Sequence, residues 1–471
     1  MGSRSSSPPP KPRSLTLAHL ESCFAKWIPS DLFPKASSKA NSRDRFYTRQ
    51  RTFWCMIFQR LNPSTSAREV VRQLQALFSL EGGPTLADNS AAYCRAQARL
   101  PVANFATALT STAKAADHHS PNPAWFQGHR LIAVDGSSLT LPDTPKNRAA
   151  YPQIQCRDTP HFPMMRFVVL FSMVSGAVMA LAQASLRTSE LALFQALCAP
   201  LLRGDILVGD RGFGSYPAIG MLQRIVGVDF IGRTTRTLIP RRCFRRLGRN
   251  DWLFQWKKGK TPSSWLTPEH WAELPETLLV RVVKGSLYRK GFRVREATIV
   301  TTLLDPKAYP ADEILKAYLH RWCLEMCLND LKTSMGLDML RGRTPDSVQK
   351  ELYSGLIAHN LIRCTMASAA TTRGVPLERV SFKGSVDAVR HFACAMAQAR
   401  TKGKRSQLWE SLLKTLAGDL VPDRPGRREP RAVKRKKNKY PRLNVERAKF
   451  RDHPKRHKRR TMARLRKQML K

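Results

Sequence analysis

A long run of uncharged residues constrains the fold of this chain more than any other feature. The run covers residues 167–186, which is long enough in principle to cross a bilayer as a helix. Ser175 and Gly176 interrupt it, and the segments on either side, FVVLFSMV and AVMALAQA, are apolar runs of strand length. We therefore predict a buried β-hairpin and no attachment to a membrane.

Two short apolar segments elsewhere in the chain each run directly into an aspartate. LIAV is followed by Asp135, and ILVG is followed by Asp210. Both segments are typical of strands that are buried on both faces, and an amphipathic segment, SELALFQALCAPLL, predicts a helix before the second. We expect each carboxylate to lie where its strand ends. Taken alone, such an aspartate is a weak signal, since acids also cap helices and close turns.

The charge of the chain limits its class of function. Lys and Arg number 80 against 35 Asp and Glu, a formal net charge of +45, which requires an anionic partner. Residues 424–471 alone hold 22 Lys and Arg and only three acids, so we predict a basic tail that contacts nucleic acid. The ten cysteines are scattered without a CxxC pair, which indicates a reducing, cytoplasmic location.

A third carboxylate lies on a predicted helix over residues 310–335. At about 100° per residue, four polar side chains share a face about 60° wide, and apolar residues occupy the other faces. The four are Tyr318, Arg321, Glu325 and Lys332. Such a face can grip phosphates around a metal ion. Taken alone, it is more often a solvated surface with ordinary ion pairs.

The spacing of these residues carries a resemblance. Y-x2-R-x3-E-x6-K, together with DGSS at Asp135 and GDRGFGSY at residues 209–216, resembles the signature of bacterial insertion-sequence DDE transposases with the YREK motif. The resemblance extends over most of the chain. It implies a ribonuclease H-like fold on which Asp135, Asp210 and Glu325 are the catalytic acids. The family often has Thr where Ser137 stands, and serine keeps the hydroxyl.

The resemblance also implies a reaction and its partners. The acids would bind Mg²⁺, for which Mn²⁺ substitutes, with two ions per active site. The enzyme would cleave double-stranded DNA at terminal inverted repeats and join the 3′-hydroxyl ends to target DNA, as a dimer on paired ends. The sequence leaves open whether a hairpin intermediate forms.

The companion residues of the motif are candidates for DNA binding. Tyr318, Arg321 and Lys332 match the family positions, and Trp322 is a candidate for stacking on an unpaired or flipped base. Core packing is the alternative for Trp322, and it is the more common role for the tryptophans that follow residue 230. Those tryptophans are Trp252, Trp256, Trp265 and Trp271.

We therefore predict an α/β fold, in which a ribonuclease H-like catalytic core is interrupted by a β-rich insertion. A helical N-terminal domain precedes this core, and a basic C-terminal tail follows it. The predicted divisions are a disordered arm (1–14), a helical DNA-binding domain (15–120), the catalytic core (125–229 and 305–370), the insertion (230–304), a helical C-terminal region (371–423) and the basic tail (424–471).

Two other functions are compatible with parts of this pattern. A metal-dependent nuclease of the same fold would keep the acids but would not join strands. A non-enzymatic basic protein that binds nucleic acid would need only the charge, and it leaves the three acids unexplained.

Overall fold

The computed structural model describes most of the chain between residues 17 and 422. The described ranges are 17–33, 46–62, 65–81, 85–120, 126–152, 162–286 and 296–422, without positions 235, 237, 239, 339 and 400. The predicted arm (1–14) and basic tail (424–471) lie outside these ranges. Within them, no helix has the length and apolar character needed to cross a membrane.

A single sheet of nine strands runs through the described residues, so the fold is mixed α/β. The strands are β1 (Leu131–Thr140), β2 (Met164–Ser172), β3 (Val178–Ser185), β4 (Ile206–Gly209), β5 (Asp229–Gly232), β6 (Arg245–Gly248), β7 (Asp251–Lys257), β8 (Thr277–Ser286) and β9 (Glu296–Thr301). Their spatial order is β3-β2-β1-β4-β5-β9-β8-β7-β6. β1 pairs antiparallel with β2 and parallel with β4, which in turn pairs parallel with β5.

The predicted hairpin is confirmed as β2 and β3, which pair antiparallel. Its turn requires Gly176, whose φ is +72°. A Cβ at this position would lie 2.7 Å from the guanidinium of Arg363, so the turn also leaves no space for a side chain. The central part of β2 is buried, which explains why the chain carries no charge there.

The prediction that both aspartates lie at strand ends is correct for β4 and wrong for β1. Asp210 directly follows β4, whereas β1 continues for five residues beyond Asp135. The parallel pairing of β1 with β4 ends at Ala133, but its antiparallel pairing with β2 continues to Thr140. Asp135 therefore lies in mid-strand, just beyond the parallel part of the sheet.

The strands of residues 230–304 extend the central sheet. β9 joins β5 through the pair Ile231 and Thr301, and β8, β7 and β6 follow it in antiparallel order. A buried ion pair between Asp251 in β7 and Arg281 in β8 fixes these strands to each other. The β-rich segment is thus continuous with the sheet that carries Asp135.

Helices surround this sheet. In chain order they are α1 (Leu17–Phe24), α2 (Arg49–Leu61), α3 (Ala67–Glu81), α4 (Ala91–Arg99), α5 (Val102–His118), α6 (Pro145–Ala150), α7 (Glu190–Gln195), α8 (Tyr216–Met221), α9 (Pro268–Glu273), α10 (Ala311–His320), α11 (Trp322–Asn329), α12 (Pro345–Arg373), α13 (Phe382–Gln398) and α14 (Lys402–Gly418). The long α12 is almost wholly buried and packs against α2, α5, α13, α14 and β3.

One helix is much shorter than its sequence predicts. The segment SELALFQALCAPLL forms only the six residues of α7. Beyond α7 the chain closes through separate turns, from Leu197 to Phe194 and from Leu201 to Cys198. Pro200 has no N–H to donate and disfavours helical geometry in the residue before it, so the apolar periodicity of this segment does not extend the helix.

Candidate active site

Two of the predicted acids lie side by side at one edge of the parallel strands. Ala133 in β1 is the register partner of Val208 in β4, and each is followed two residues later by an aspartate. Asp135 Oδ1 accepts a hydrogen bond from its neighbour's backbone, Gly136 N, at 2.8 Å. Asp210 Oδ1 accepts one from Gly212 N, also at 2.8 Å. These backbone contacts orient both carboxylates without neutralising them.

The electrostatics of Asp135 bring the third acid into the same site. The pKa of Asp135 is raised to about 6, chiefly by burial and in part by the negative charges of Asp210 and Glu325. The Gly136 N–H and the Arg321 guanidinium act in the opposite direction. Asp210 and Glu325 are therefore both close enough to Asp135 to influence its ionisation.

The helix that carries Glu325 is not the straight helix that the sequence predicts. α10 ends at His320, α11 begins at Trp322, and a π-helical turn covers Asp330–Ser334. At the break, the backbone N of Arg321 donates to Tyr318 O, three residues back. A uniform rotation of about 100° per residue therefore does not describe this segment.

The break changes which side chains are exposed. Tyr318 is buried, and the Glu325 side chain is 40% exposed. Met326 was predicted on the buried apolar face, and it is 51% exposed. The apolar face is therefore less completely buried than predicted, whereas Arg321 contacts Tyr318 and pairs with Glu325, so these three polar side chains lie together.

Arg321 occupies the space between the acids and the tyrosine. Its Nη2 donates to Glu325 Oε1 at 2.9 Å, and its guanidinium carbon lies 5.5 Å from the centre of the Tyr318 ring. Burial raises the pKa of Tyr318, the charges of Arg321 and Arg233 lower it, and that of Asp210 raises it. Arg321 thus contacts the acids directly, through its ion pair with Glu325.

Comparisons with known proteins identify the family of this chain. A family model described as a transposase DDE domain matches residues 126–361, which contain all three acids. This chain belongs to the DDE transposases. The transposase InsG of insertion sequence element IS4, from Escherichia coli K12, is 27% identical to it over 400 residues, which are 82% of this chain and 85% of InsG. DDE transposases act on DNA, and their catalytic domains generally use divalent metal ions.

A solved structure, that of a piggyBac transposase synaptic complex with hairpin DNA, has a distant similarity to this transposase. The TM-score is 0.38, and the sequences are 10% identical over 85% of each chain. The similarity is too low to bear on individual residues of the site.

Lys332 connects the π-helical turn to the strand of the first acid. Its ammonium group donates a hydrogen bond to Ser137 Oγ. Ser137 lies two residues beyond Asp135 and therefore on the same face of β1. The serine hydroxyl that replaces the usual threonine of the family thus has a partner inside the motif.

Two features of the site were not found from the sequence. The backbone of Arg233 packs against Gly214, where a Cβ would lie 1.7 Å from Arg233 O. This contact explains why the last of the three glycines in GDRGFGSY is required. On the other face of β1, the Glu190 carboxylate lies against Gly136, 2.8 Å from the position of a Cβ. Both are contacts between residues distant in sequence, for which no local pattern exists.

Of the five tryptophans considered for base stacking, the structure describes four side chains. Trp322 is the first residue of α11, and its side chain lies outside the described part of the chain. In residues 230–304, one tryptophan is buried and three are partly buried against the core. They are Trp256 in the first group and Trp252, Trp265 and Trp271 in the second. These positions agree with core packing.

The donor atoms of the transposase site fit a hard cation in type. Carboxylate oxygens are the ligands that Mg²⁺ and Mn²⁺ prefer, and the pKa of Asp135 is raised by burial and, in smaller part, by neighbouring negative charge that a cation would offset. Among the described residues, however, no three His, Cys, Asp or Glu side chains converge into a complete ligand set. Glu325 is held by Arg321, so it would have to exchange this partner for a metal ion.

Proposed function

We propose that this transposase cleaves DNA at the ends of an insertion element and joins the 3′-hydroxyl ends to target DNA. Asp135, Asp210 and Glu325 are its catalytic acids. One observation carries the proposal. Asp135 and Asp210 each lie two residues beyond the last parallel pair of β1 and β4, at the same edge of the sheet, and the negative charge of Glu325 acts on Asp135.

The strand order supports a ribonuclease H-like core. β3, β2 and β1 are antiparallel, and β4 and β5 continue the sheet parallel to β1. We assign this core to residues 125–229 and 305–370, with the strands of residues 230–304 as its insertion. The flanking segments are the N-terminal helices of residues 15–120 and the C-terminal helices of residues 371–423.

Two Mg²⁺ ions, or Mn²⁺ in their place, are the cofactors that we propose for the three acids. When bound, such ions activate the attacking oxygen and stabilise the leaving oxygen of the phosphodiester. Asp135 and Asp210 would hold them, and Glu325 would join after it separates from Arg321. The guanidinium of Arg321 is then free to contact a DNA phosphate beside the site.

Double-stranded DNA is the proposed partner, both as terminal inverted repeats and as target. Lys332 and Tyr318 border the acids and contribute to this contact, as does Trp322 if it stacks on an unpaired base. The tail of residues 424–471 adds sequence-independent affinity through its 22 Lys and Arg. Two DNA ends require two active sites, so the complex is a dimer on DNA, in the bacterial cytoplasm at the nucleoid.

The deciding experiment incubates the full chain with Mg²⁺, a duplex that carries the flanking repeats of its own element, and a target plasmid. We expect nicks with 3′-hydroxyl ends, followed by joined products, and neither from Asp135→Asn. Cleavage without joining would instead establish the nuclease alternative. DNA binding without any metal-dependent cleavage would establish the non-enzymatic alternative.

A further inference from the structure

An exposed aromatic side chain lies far along the sheet from the acids. Among the described residues, four large apolar side chains are exposed, and only one of them is aromatic. This is Phe244, which is 59% exposed. It directly precedes β6, the last strand of the sheet, whereas the first acid lies on β1, six places away in the strand order.

Exposed arginines flank Phe244 on both sides in the sequence. Five of them are exposed within nine positions, and among the described residues none of the five forms an ion pair with an acid. We call this group the Phe244 patch. It consists of Arg241, Arg242, Phe244, Arg245, Arg246 and Arg249. Arg246 Nε donates a hydrogen bond to Gly248 O at 3.2 Å.

The backbone beneath the patch is fixed. Phe244 N donates to Leu253 O at 2.8 Å, and Cys243 N donates to Pro240 O at 3.1 Å. The strands β6 and β7 join through a tight turn in which Asn250 has a φ of +63°. The phenylalanine is therefore presented by an ordered hairpin, and little conformational entropy would be lost when a ligand binds.

We propose that the Phe244 patch is a DNA contact separate from the acids, in which the arginines bind phosphates and Phe244 stacks on an unpaired base. Aromatic side chains interleaved with cations form the general platform for unpaired nucleic acid. This inference rests on the proposed function, because it takes DNA as the substrate.

A second copy of this chain is a poor occupant of the same surface. The net charge of +45 opposes self-association through a cluster of arginines. β6 is an edge strand of four residues and begins with two exposed arginines, a pattern that disfavours pairing of strand edges between molecules. Charge complementarity therefore favours a polyanion.

The test measures binding of the full chain, without divalent metal, to two fluorescent oligonucleotides across a salt series. One is a duplex, and the other is the same duplex with a short unpaired segment. We expect Arg245→Ala combined with Arg246→Ala to lower the slope of log affinity against log salt by about two on both probes. Phe244→Ala should weaken binding to the unpaired probe about tenfold and leave duplex binding unchanged.

The matched control is Leu202→Ala combined with Arg203→Ala, which also removes an exposed apolar side chain and an exposed cation. We expect it to bind both probes like the parent, and thermal unfolding of each variant verifies its fold. An unchanged slope in the arginine variant, or equal affinities of parent and Phe244→Ala for the unpaired probe, would overturn the proposal. Metal-dependent cleavage by the parent is measured separately, so failure of the proposed function is distinguishable from failure of the patch.

Discussion

Two clusters of acids and arginine in this molecule, one buried and one partly exposed, differ in how completely their charges are paired. In one, Arg281 is fully buried and forms two hydrogen bonds to Asp251, at 2.9 and 2.6 Å. It also donates to the carbonyl oxygen of Tyr309 at 2.7 Å. In the other, the charges of Asp210 and Glu325 act on Asp135, and Arg321 forms an ion pair with Glu325.

The difference separates an ion pair whose charges are fully compensated from a group of acids whose charges are not. The guanidinium of Arg281 has one acid and several carbonyl partners, and it links β7 and β8 to the segment that leads into α10. The three acids instead carry excess negative charge, which contributes to the raised pKa of Asp135. A group of acids whose negative charge exceeds that of its protein cation is complementary to a cation that binds from solution.

The largest effect is expected from removing an acid of the incomplete cluster. Asp135→Asn, Asp210→Asn or Glu325→Gln should each lower the rate of Mg²⁺-dependent DNA nicking by at least about 1000-fold, since each removes a charge that the reaction requires. Affinity for the DNA ends should change little. Both quantities are measured on the same duplex, by product formation and by fluorescence anisotropy.

Asp312→Asn is the control for this series, because Asp312 is an exposed acid of α10 that pairs with Lys316. It should nick DNA like the parent. Near-normal nicking by any of the three variants would remove that acid from the catalytic set.

Breaking the complete pair should instead affect the fold. Asp251→Ala leaves the buried charge of Arg281 without its acid, so we expect the free energy of unfolding to fall by about 3–5 kcal/mol. Chemical denaturation of the metal-free protein measures it. Lys316→Ala, which breaks an exposed pair, should lower the free energy of unfolding far less, because exposed ion pairs are screened by solvent. Similar costs for both variants would show that burial does not distinguish these pairs.

A third buried group sharpens the comparison, since it is a base without a compensating acid. The pKa of His359 is lowered from 6.5 to about 3, chiefly by burial and in part by the charge of Arg363. Below pH 6.5 the unfolded chain takes up a proton that the folded protein cannot, so stability is lost as the pH falls from 6.5 towards 3. The expected loss is up to about 1.4 kcal/mol per pH unit.

His359→Leu should remove this loss. We expect the unfolding free energy of the variant to depend less on pH between 6.5 and 4.5 than that of the parent, by about 2–3 kcal/mol over the interval. His391→Gln, a change of an exposed histidine on α13, is the control and should follow the parent. Parallel stability curves for His359→Leu and the parent would contradict the assignment.

The sequence predicts the parts of this molecule in which a local pattern and the tertiary structure agree. The hairpin around Gly176 and the strand before Asp210 are such cases, because apolar runs and turn residues act over a few positions. The run of β1 beyond Asp135 depends on pairing with β2, and no local signal in β1 reports it. The same applies to Glu190, which reaches Gly136 from another element.

The candidate site divides in the same way. The spacing of its motif predicts Tyr318, Arg321, Glu325 and Lys332 as site residues, but it does not predict that the helix carrying them is interrupted. The break at Arg321 and the π-helical turn from Asp330 to Ser334 are departures from regular geometry that apolar periodicity does not record. The pairing of Arg321 with Glu325 is local, four residues apart, and the sequence allowed it as the alternative to a phosphate contact.

The smallest expected effect concerns the two motif cations, and it tests how far the incomplete cluster depends on them. Arg321 pairs with Glu325, and Lys332 donates to Ser137, so both have protein partners when DNA is absent. If DNA phosphates replace these partners, Arg321→Ala or Lys332→Ala should each reduce the slope of log affinity against log salt by about one. Each should also slow cleavage at saturating Mg²⁺.

Tyr318→Phe should be milder than either, because it loses a hydroxyl and keeps the ring against Arg321. Arg321→Lys is the matched variant, since it keeps the charge but not the two-pronged geometry of the guanidinium. It should retain the salt slope of the parent. If the cations serve only as protein ion pairs, their removal would cost about 0.3–0.5 kcal/mol of stability, and both slope and cleavage rate would equal those of the parent. Arg321 would then belong with Arg281 as a structural cation, and the acids alone would distinguish the two clusters.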